Sequence, residues 1–117
     1  MRRASAALSL ALALATAAPS RGIAAEPRIV RIVAKRFSYT PSEIRLKKGE
    51  PVVLELVSED RIHGFNLPEF KIRKDILPKE VTRVTLTPDK AGTFSFRCDV
   101  FCGDGHEDMT GTVVVTE

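Results

Sequence analysis

The chain has 117 residues, with 18 Lys and Arg against 15 Asp and Glu and a formal net charge of +3. Arg2, Arg3 and Arg21 account for the whole excess and lie in the first 25 residues, so the rest is balanced and carries no electrostatic signature of nucleic-acid binding. The two cysteines allow at most one internal bridge, which excludes a disulfide-built scaffold, and residues 26–117 suffice for one small domain with its own core.

Met1-Arg2-Arg3 is a short positive start, Ala4 to Ala18 is dominated by Ala and Leu, and Ile23-Ala24-Ala25 is a small-residue end. This order predicts a secretory signal peptide over residues 1–25, cut after Ala25. The apolar run is shorter than the roughly 20 residues of a comfortable membrane span. The alternative is an uncleaved anchor. The expected location is therefore the periplasm or another exported compartment, with no membrane span after cleavage.

Short strand-like runs follow, separated by turn signals. Ile29 to Val33 is apolar and β-branched, Phe37 to Pro41 reads as extended, and Glu43 to Lys47 alternates with Ile44 and Leu46 on one face. Lys48-Gly49-Glu50-Pro51 reads as a turn. Val52 to Val57 and Ile62 to Leu67 are further strands, the second carrying His63 and ending at Pro68. Residues 68–80 leave room for one turn of helix, but two prolines and no clear apolar stripe favour a loop. Val81 to Thr87 alternates, and Pro88 to Gly92 is a second turn. Thr93 to Cys98 then sets Phe94, Phe96 and Cys98 on one face by the period of two. Thr112 to Thr116 is a closing Val-rich strand. No sustained helical periodicity occurs after residue 26. The reading is an all-β sandwich.

Beyond the leader, every soft metal donor falls into one pattern. The cysteines are Cys98 and Cys102, the histidines His63 and His106, and the methionine Met109. Four of them share the stretch Cys98 to Met109, which reads C-x3-C-x3-H-x2-M. Two thiolates, two imidazoles and a thioether select copper over hard cations. The strands before and after this stretch clamp a short loop, in which Gly103 and Gly105 permit tight turning. Two rival readings use the same residues. A Cys98–Cys102 disulfide would close a very small loop with little entropic benefit and leaves the other donors unexplained. A structural zinc site would leave Met109 idle, and its histidines lack finger-like spacing.

The stretch Cys98 to Met109, with Ser58 to Pro68 around His63, resembles the CuA motif of cytochrome c oxidase subunit II and nitrous oxide reductase. The resemblance covers most of residues 37–116. It implies a cupredoxin-like Greek-key β-sandwich and a binuclear copper centre bridged by the thiolates of Cys98 and Cys102. It further implies that His63 and His106 each cap one copper, that Met109 is a weak axial ligand, and that the Val100 carbonyl is the opposite one. The implied function is single-electron transfer in the cell envelope with a redox protein partner, for which a c-type cytochrome is the candidate. The chain is not expected to turn over a substrate by itself. Three departures stand out: the segment before the copper domain reads as a leader where the oxidases carry transmembrane helices, there is no Trp, and Val100 stands where the family usually has an acidic residue able to serve a second metal. The rival function is a copper carrier or assembly factor that uses the same ligands to deliver the metal. Asp99, Asp104, Glu107 and Asp108 crowd the loop, and are expected to steer a basic partner.

Overall fold

A computed structural model describes residues 5–16 and 26–117. The predicted cleavage point after Ala25 lies at the edge of the described residues, and residues 1–4 and 17–25 of the predicted leader lie outside them. Residues 5–16 form no regular element and expose Leu8, Leu10, Leu12 and Leu14. Among the described residues no helix is long and apolar enough to cross a membrane.

The rest is a β-sandwich. The strands in chain order are β1 (Arg28–Lys35), β2 (Ser38–Thr40), β3 (Glu43–Lys47), β4 (Val52–Ser58), β5 (His63–Leu67), β6 (Ile72–Ile76), β7 (Thr82–Leu86), β8 (Gly92–Arg97) and β9 (Thr110–Thr116). One sheet has the order β2-β1-β4-β7 and the other β3-β9-β8-β5-β6. The pairs β1–β4 and β3–β9 are parallel, and the remaining pairs antiparallel. Non-consecutive neighbours of this kind are what crossing connections between two sheets produce.

Alternation explains why these strands face as they do. In β1 and β4 the inward residues Val30, Ile32, Leu54 and Leu56 are buried, and Val30 pairs with Leu54 and Ile32 with Leu56. The opposing sheet supplies Phe65, Leu67, Phe96 and Val113, all fully buried. Burying each such side chain contributes about 1.5–3 kcal/mol. Tyr39 and Phe65 each pack against Phe96, with ring centroids 4.9 Å apart in both pairs. A Cβ on Gly111 would meet the Phe96 ring at 2.1 Å, so the ring lies directly over that glycine.

Two segments differ from the sequence reading. Residues 68–80 are not simply a loop, because Ile72–Ile76 forms β6 and pairs along its length with β5. Its outer face is Arg73 and Asp75, and charged residues at a sheet edge mask the strand signal while protecting the edge. The one turn of helix for which residues 68–80 left room is a 3₁₀ turn at Pro68–Phe70, and a second, unforeseen one lies within the donor-rich loop at His106–Asp108. Each is too short to leave a periodicity.

The two ends of the sandwich are closed differently. At one end Gly49, with φ +82°, lets the β3–β4 turn reach the turn before β8, and its N–H donates to the Pro88 carbonyl at 2.8 Å. At the other end the start of β5, the exit of β8 and the entry of β9 converge. There the Cys98 N–H donates to the Met109 carbonyl at 3.1 Å, which continues the β8–β9 ladder one step and closes the neck of the loop between them.

Candidate metal centre

The donors that are far apart in sequence meet at this second end. Cys98, Cys102, His63 and Met109 are buried, and His106 is half-buried. The sulfurs of Cys98 and Cys102 lie 3.9 Å apart and both cysteines are free thiols. Cys102 Sγ is 3.6 Å from His106 Nδ1 and 3.9 Å from Met109 Sδ. The Val100 carbonyl lies 3.2 Å from Cys98 Sγ. One ligand atom each from His63, Cys98 and Cys102 falls within 4.8 Å of the others. The structure thus brings together all six residues singled out in the sequence.

Local structure sets this arrangement. Cys98 follows β8 on the inward face of Phe96. His63 opens β5 on the inward face of Phe65, opposite Ile76 of β6. Cys102 is carried over the site by the loop, and the 3₁₀ turn beginning at His106 returns the chain to Met109. Phe37 shapes this loop from outside, because a Cβ on Gly105 would meet its ring at 2.6 Å and one on Gly103 at 2.9 Å. Gly103 also has φ +136°, a conformation that favours glycine.

In both imidazoles the nitrogen to follow is Nδ1. His63 Nε2 is 2.6 Å from Asp60 Oδ1, which leaves Nδ1 as the free nitrogen. That Nδ1 is buried and has no hydrogen-bond partner. An unmatched buried imidazole nitrogen costs about 1–3 kcal/mol, and ligation of a metal ion removes the mismatch. His106 turns Nδ1 toward Cys102. Neutral nitrogen, thiolate and thioether donors around one small space fit a soft transition metal. A carboxylate on the far nitrogen of a ligating histidine is the usual outer support of such a site.

Asp60 and Arg36 tie the halves together. The Asp60 carboxylate accepts from the Arg36 N–H at 2.8 Å and from the Arg61 N–H at 2.7 Å, besides its contact with His63. The Arg36 side chain in turn donates from Nε to the Cys102 carbonyl at 3.0 Å. Burial pushes the Asp60 carboxyl up, but these hydrogen bonds outweigh it and hold its pKa at about 2. Burial, followed by the charge of Cys98, raises the Cys102 thiol to about 11. Burial also raises the Tyr39 phenol, with Cys98 and Asp99 adding to it. Tyr39 therefore stays protonated and donates to the Gly64 carbonyl at 2.7 Å.

The sequence reading gave no role to Asp60, Arg36, Gly64 or Tyr39. Asp60 had a signal, since it stands three residues before His63 in a turn. Arg36 and Tyr39 had none, because only the fold brings β1 and β2 to the site. The acidic loop also divides. All four acids are exposed, but Asp99 is held by Arg73 through a two-pronged ion pair.

Comparison with known proteins agrees with this geometry. Residues 4–115 match the model of the cupredoxin-like domain. Cytochrome c oxidase subunit 2 of Thermus thermophilus is 38% identical over 88 residues, spanning 75% of this chain and 65% of that protein. Nitrous-oxide reductase of Ralstonia nicotianae is 36% identical over 90 residues, spanning 74% of this chain and 14% of the reductase. The chain therefore spans less than two thirds of these curated relatives. Among solved structures, the periplasmic domain of cytochrome oxidase subunit II from Bradyrhizobium japonicum superposes with a TM-score of 0.71 at 19% identity, covering 77% of this chain and 84% of that one. The Cu(I)-bound metal-binding domain of the Cu(I)-exporting P-type ATPase CopA of Streptococcus pneumoniae gives 0.62 at 25%, covering 76% and 85%. The fold and the family match agree, and the chain belongs to the cupredoxin-like domain family.

Proposed function

We propose that this chain is an exported copper protein that carries single electrons through a binuclear CuA-type centre. Residues 1–25 are its export leader and residues 26–117 its functional domain. The observation that carries the reading is the meeting of these donors: a ring nitrogen of His63 lies within 4.8 Å of two free thiols whose sulfurs are 3.9 Å apart, and His106 turns Nδ1 toward Cys102. In this reading Cys98, Cys102, His63 and His106 would hold two copper ions, with Met109 and the Val100 carbonyl as weaker donors. Bound there, copper would supply a one-electron couple. The chain's own contribution is to keep the donors still during transfer. Asp60 fixes the His63 ring, Arg36 fixes the carbonyl of Cys102, and the neck between Cys98 and Met109 holds the loop closed. Preorganisation of this kind limits rearrangement between oxidation states.

The electron partner is a redox protein with a basic face, a c-type cytochrome being the candidate. Asp104, Glu107 and Asp108 are exposed beside His106 and give the loop end a negative rim. Transfer rates should fall as salt rises, and rates independent of ionic strength would remove the docking idea.

Copper titration of the reduced protein with optical and EPR spectra tests the central claim. Two coppers sharing one unpaired electron support it, while one copper with an ordinary mononuclear spectrum excludes it. The second reading is copper delivery, favoured by the likeness to the Cu(I)-bound domain of an exporting ATPase. It predicts ready transfer of copper to an acceptor protein and no reversible redox cycle.

A further inference from the structure

We propose that Arg73, acting through Asp99, is a positioning residue for the Cys98 sulfur. Arg73 grips both oxygens of the Asp99 carboxylate, Nε to Oδ2 at 2.9 Å and Nη2 to Oδ1 at 3.0 Å. It also reaches Asp75 at 2.5 Å. Arg73 and Asp75 share the outer face of β6, and Asp75 lies opposite Gly64 in the β5–β6 register.

The consequence of that grip is felt at Gly64. A Cβ there would stand 2.0 Å from Asp99 Oδ1 and 2.9 Å from the Asp99 backbone nitrogen. The residue after Cys98 is therefore drawn flat across Gly64, which has no side chain to keep it away. On the inner side the Gly64 N–H donates to Cys98 Sγ at 3.3 Å, and its carbonyl accepts from Tyr39. Gly64 is thus held from both faces of the sheet, and Arg73 supplies the outer hold.

An exposed ion pair is weak as a source of stability. A planar fork on a carboxylate is nonetheless strict about direction, so this pair works as a latch rather than a brace. It fixes where β8 hands over to the loop, and with it the N–H to sulfur bond. Hydrogen bonding at a cysteine sulfur tunes the redox potential of a copper–thiolate site. That functional consequence rests on Cys98 being a copper ligand, whereas the latch itself does not.

The test uses the full chain, reduced and metal-free, with two readouts: hydrogen exchange at the Gly64 amide, and the rate of Cys98 alkylation relative to Cys102. Arg73→Gln should speed both by about threefold to fivefold, the factor that loss of one exposed ion pair allows. Asp99→Asn should do the same, and the double variant no more than either single change. Arg73→Lys keeps the charge but loses the fork, and should fall between. Arg83→Gln breaks a comparable exposed pair with Glu55 on the other sheet and should move neither readout. If Arg73→Gln and Asp99→Asn leave both rates at wild-type values, or Arg83→Gln shifts them equally, the proposal is wrong. In the copper-loaded protein, Arg73→Gln should shift the reduction potential without changing the metal stoichiometry. Failure of the wild type to take up copper, with the metal-free rates still responding, sinks the copper reading and supports the latch.

Discussion

The two histidines of the site sit in opposite kinds of surroundings. His63 is part of a sheet, fully buried, with a carboxylate on its far nitrogen and its strand paired to β6. His106 begins a single 3₁₀ turn in a loop, is half-buried, and has the exposed ring of Phe101 beside it, centroids 5.8 Å apart. One half of the centre is set by the core and the other is laid over it. A site built this way can be rigid where metal geometry is fixed and accessible where electrons or ions must pass. Substitutions on the two sides should therefore differ in what they damage.

The largest contrast should come from two glycines. Gly64→Ala on the sheet side drives a methyl into the Asp99 carboxylate, which can turn aside only by leaving Arg73, and into the Asp99 backbone nitrogen, which cannot yield without moving the β8 exit. The expected cost is about 3 kcal/mol, lowering the melting temperature by more than roughly 10 °C. Gly105→Ala on the loop side meets only the Phe37 ring. That ring is 38% exposed and can swing outward, so the expected cost is about 1 kcal/mol. Thermal denaturation of both metal-free variants measures the difference, and equal losses would erase the distinction between the halves.

Asp60→Ala should follow in size. It strips the partner from His63 Nε2 and from the N–H groups of Arg36 and Arg61. Part of this network is open to solvent, so the expected loss is about 2 kcal/mol in a denaturant titration. Under the copper reading, affinity should also drop roughly 10- to 100-fold by chelator competition. Asp60→Asn keeps an acceptor for the ring and should recover part of both losses.

Met109→Leu sits between the halves and sharpens the comparison. The residue is fully buried, and the exchange nearly conserves volume, so stability should change by no more than about 1.5 kcal/mol. Copper should still bind and the reduction potential should shift, because only a weak thioether donor is lost. Complete loss of metal in this variant would mean that Met109 holds the ion rather than tunes it.

These contrasts also mark what was legible beforehand. The cluster was readable because the chemistry of its residues is rare and their spacing regular. The strands through Phe65 and Phe96 were readable because inward and outward residues alternate cleanly. β6 was hidden, since Arg73, Lys74 and Asp75 break the apolar signal of an edge strand whose stability comes from pairing with β5. Asp60, Arg36 and Tyr39 were hidden for a different reason. Their importance lies in whom they touch, and contacts such as Arg36 to Cys102 cross 66 residues of chain. The same limit applies to Asp99, which composition counts as one more loop acid but whose charge is occupied by Arg73.

Phe101→Ala should have the smallest effect on the fold and tests which half faces outward. The ring is 69% exposed, so its removal should change stability by no more than about 0.5 kcal/mol. It does, however, lie against His106 on the solvent side. Losing that ring contact should hasten removal of copper by a soluble Cu(I) chelator about threefold, the factor for roughly 0.6 kcal/mol of aromatic packing. Ile62→Ala is the matched change beside His63, at a residue 42% exposed. There the histidine is covered by the sheet and held by Asp60, so the chelation rate should stay at the wild-type value. If Ile62→Ala proves faster and Phe101→Ala does not, access runs past the sheet-side histidine. The loop would then be the closed half of the centre, and the order of rigidity assigned to the two histidines would be reversed.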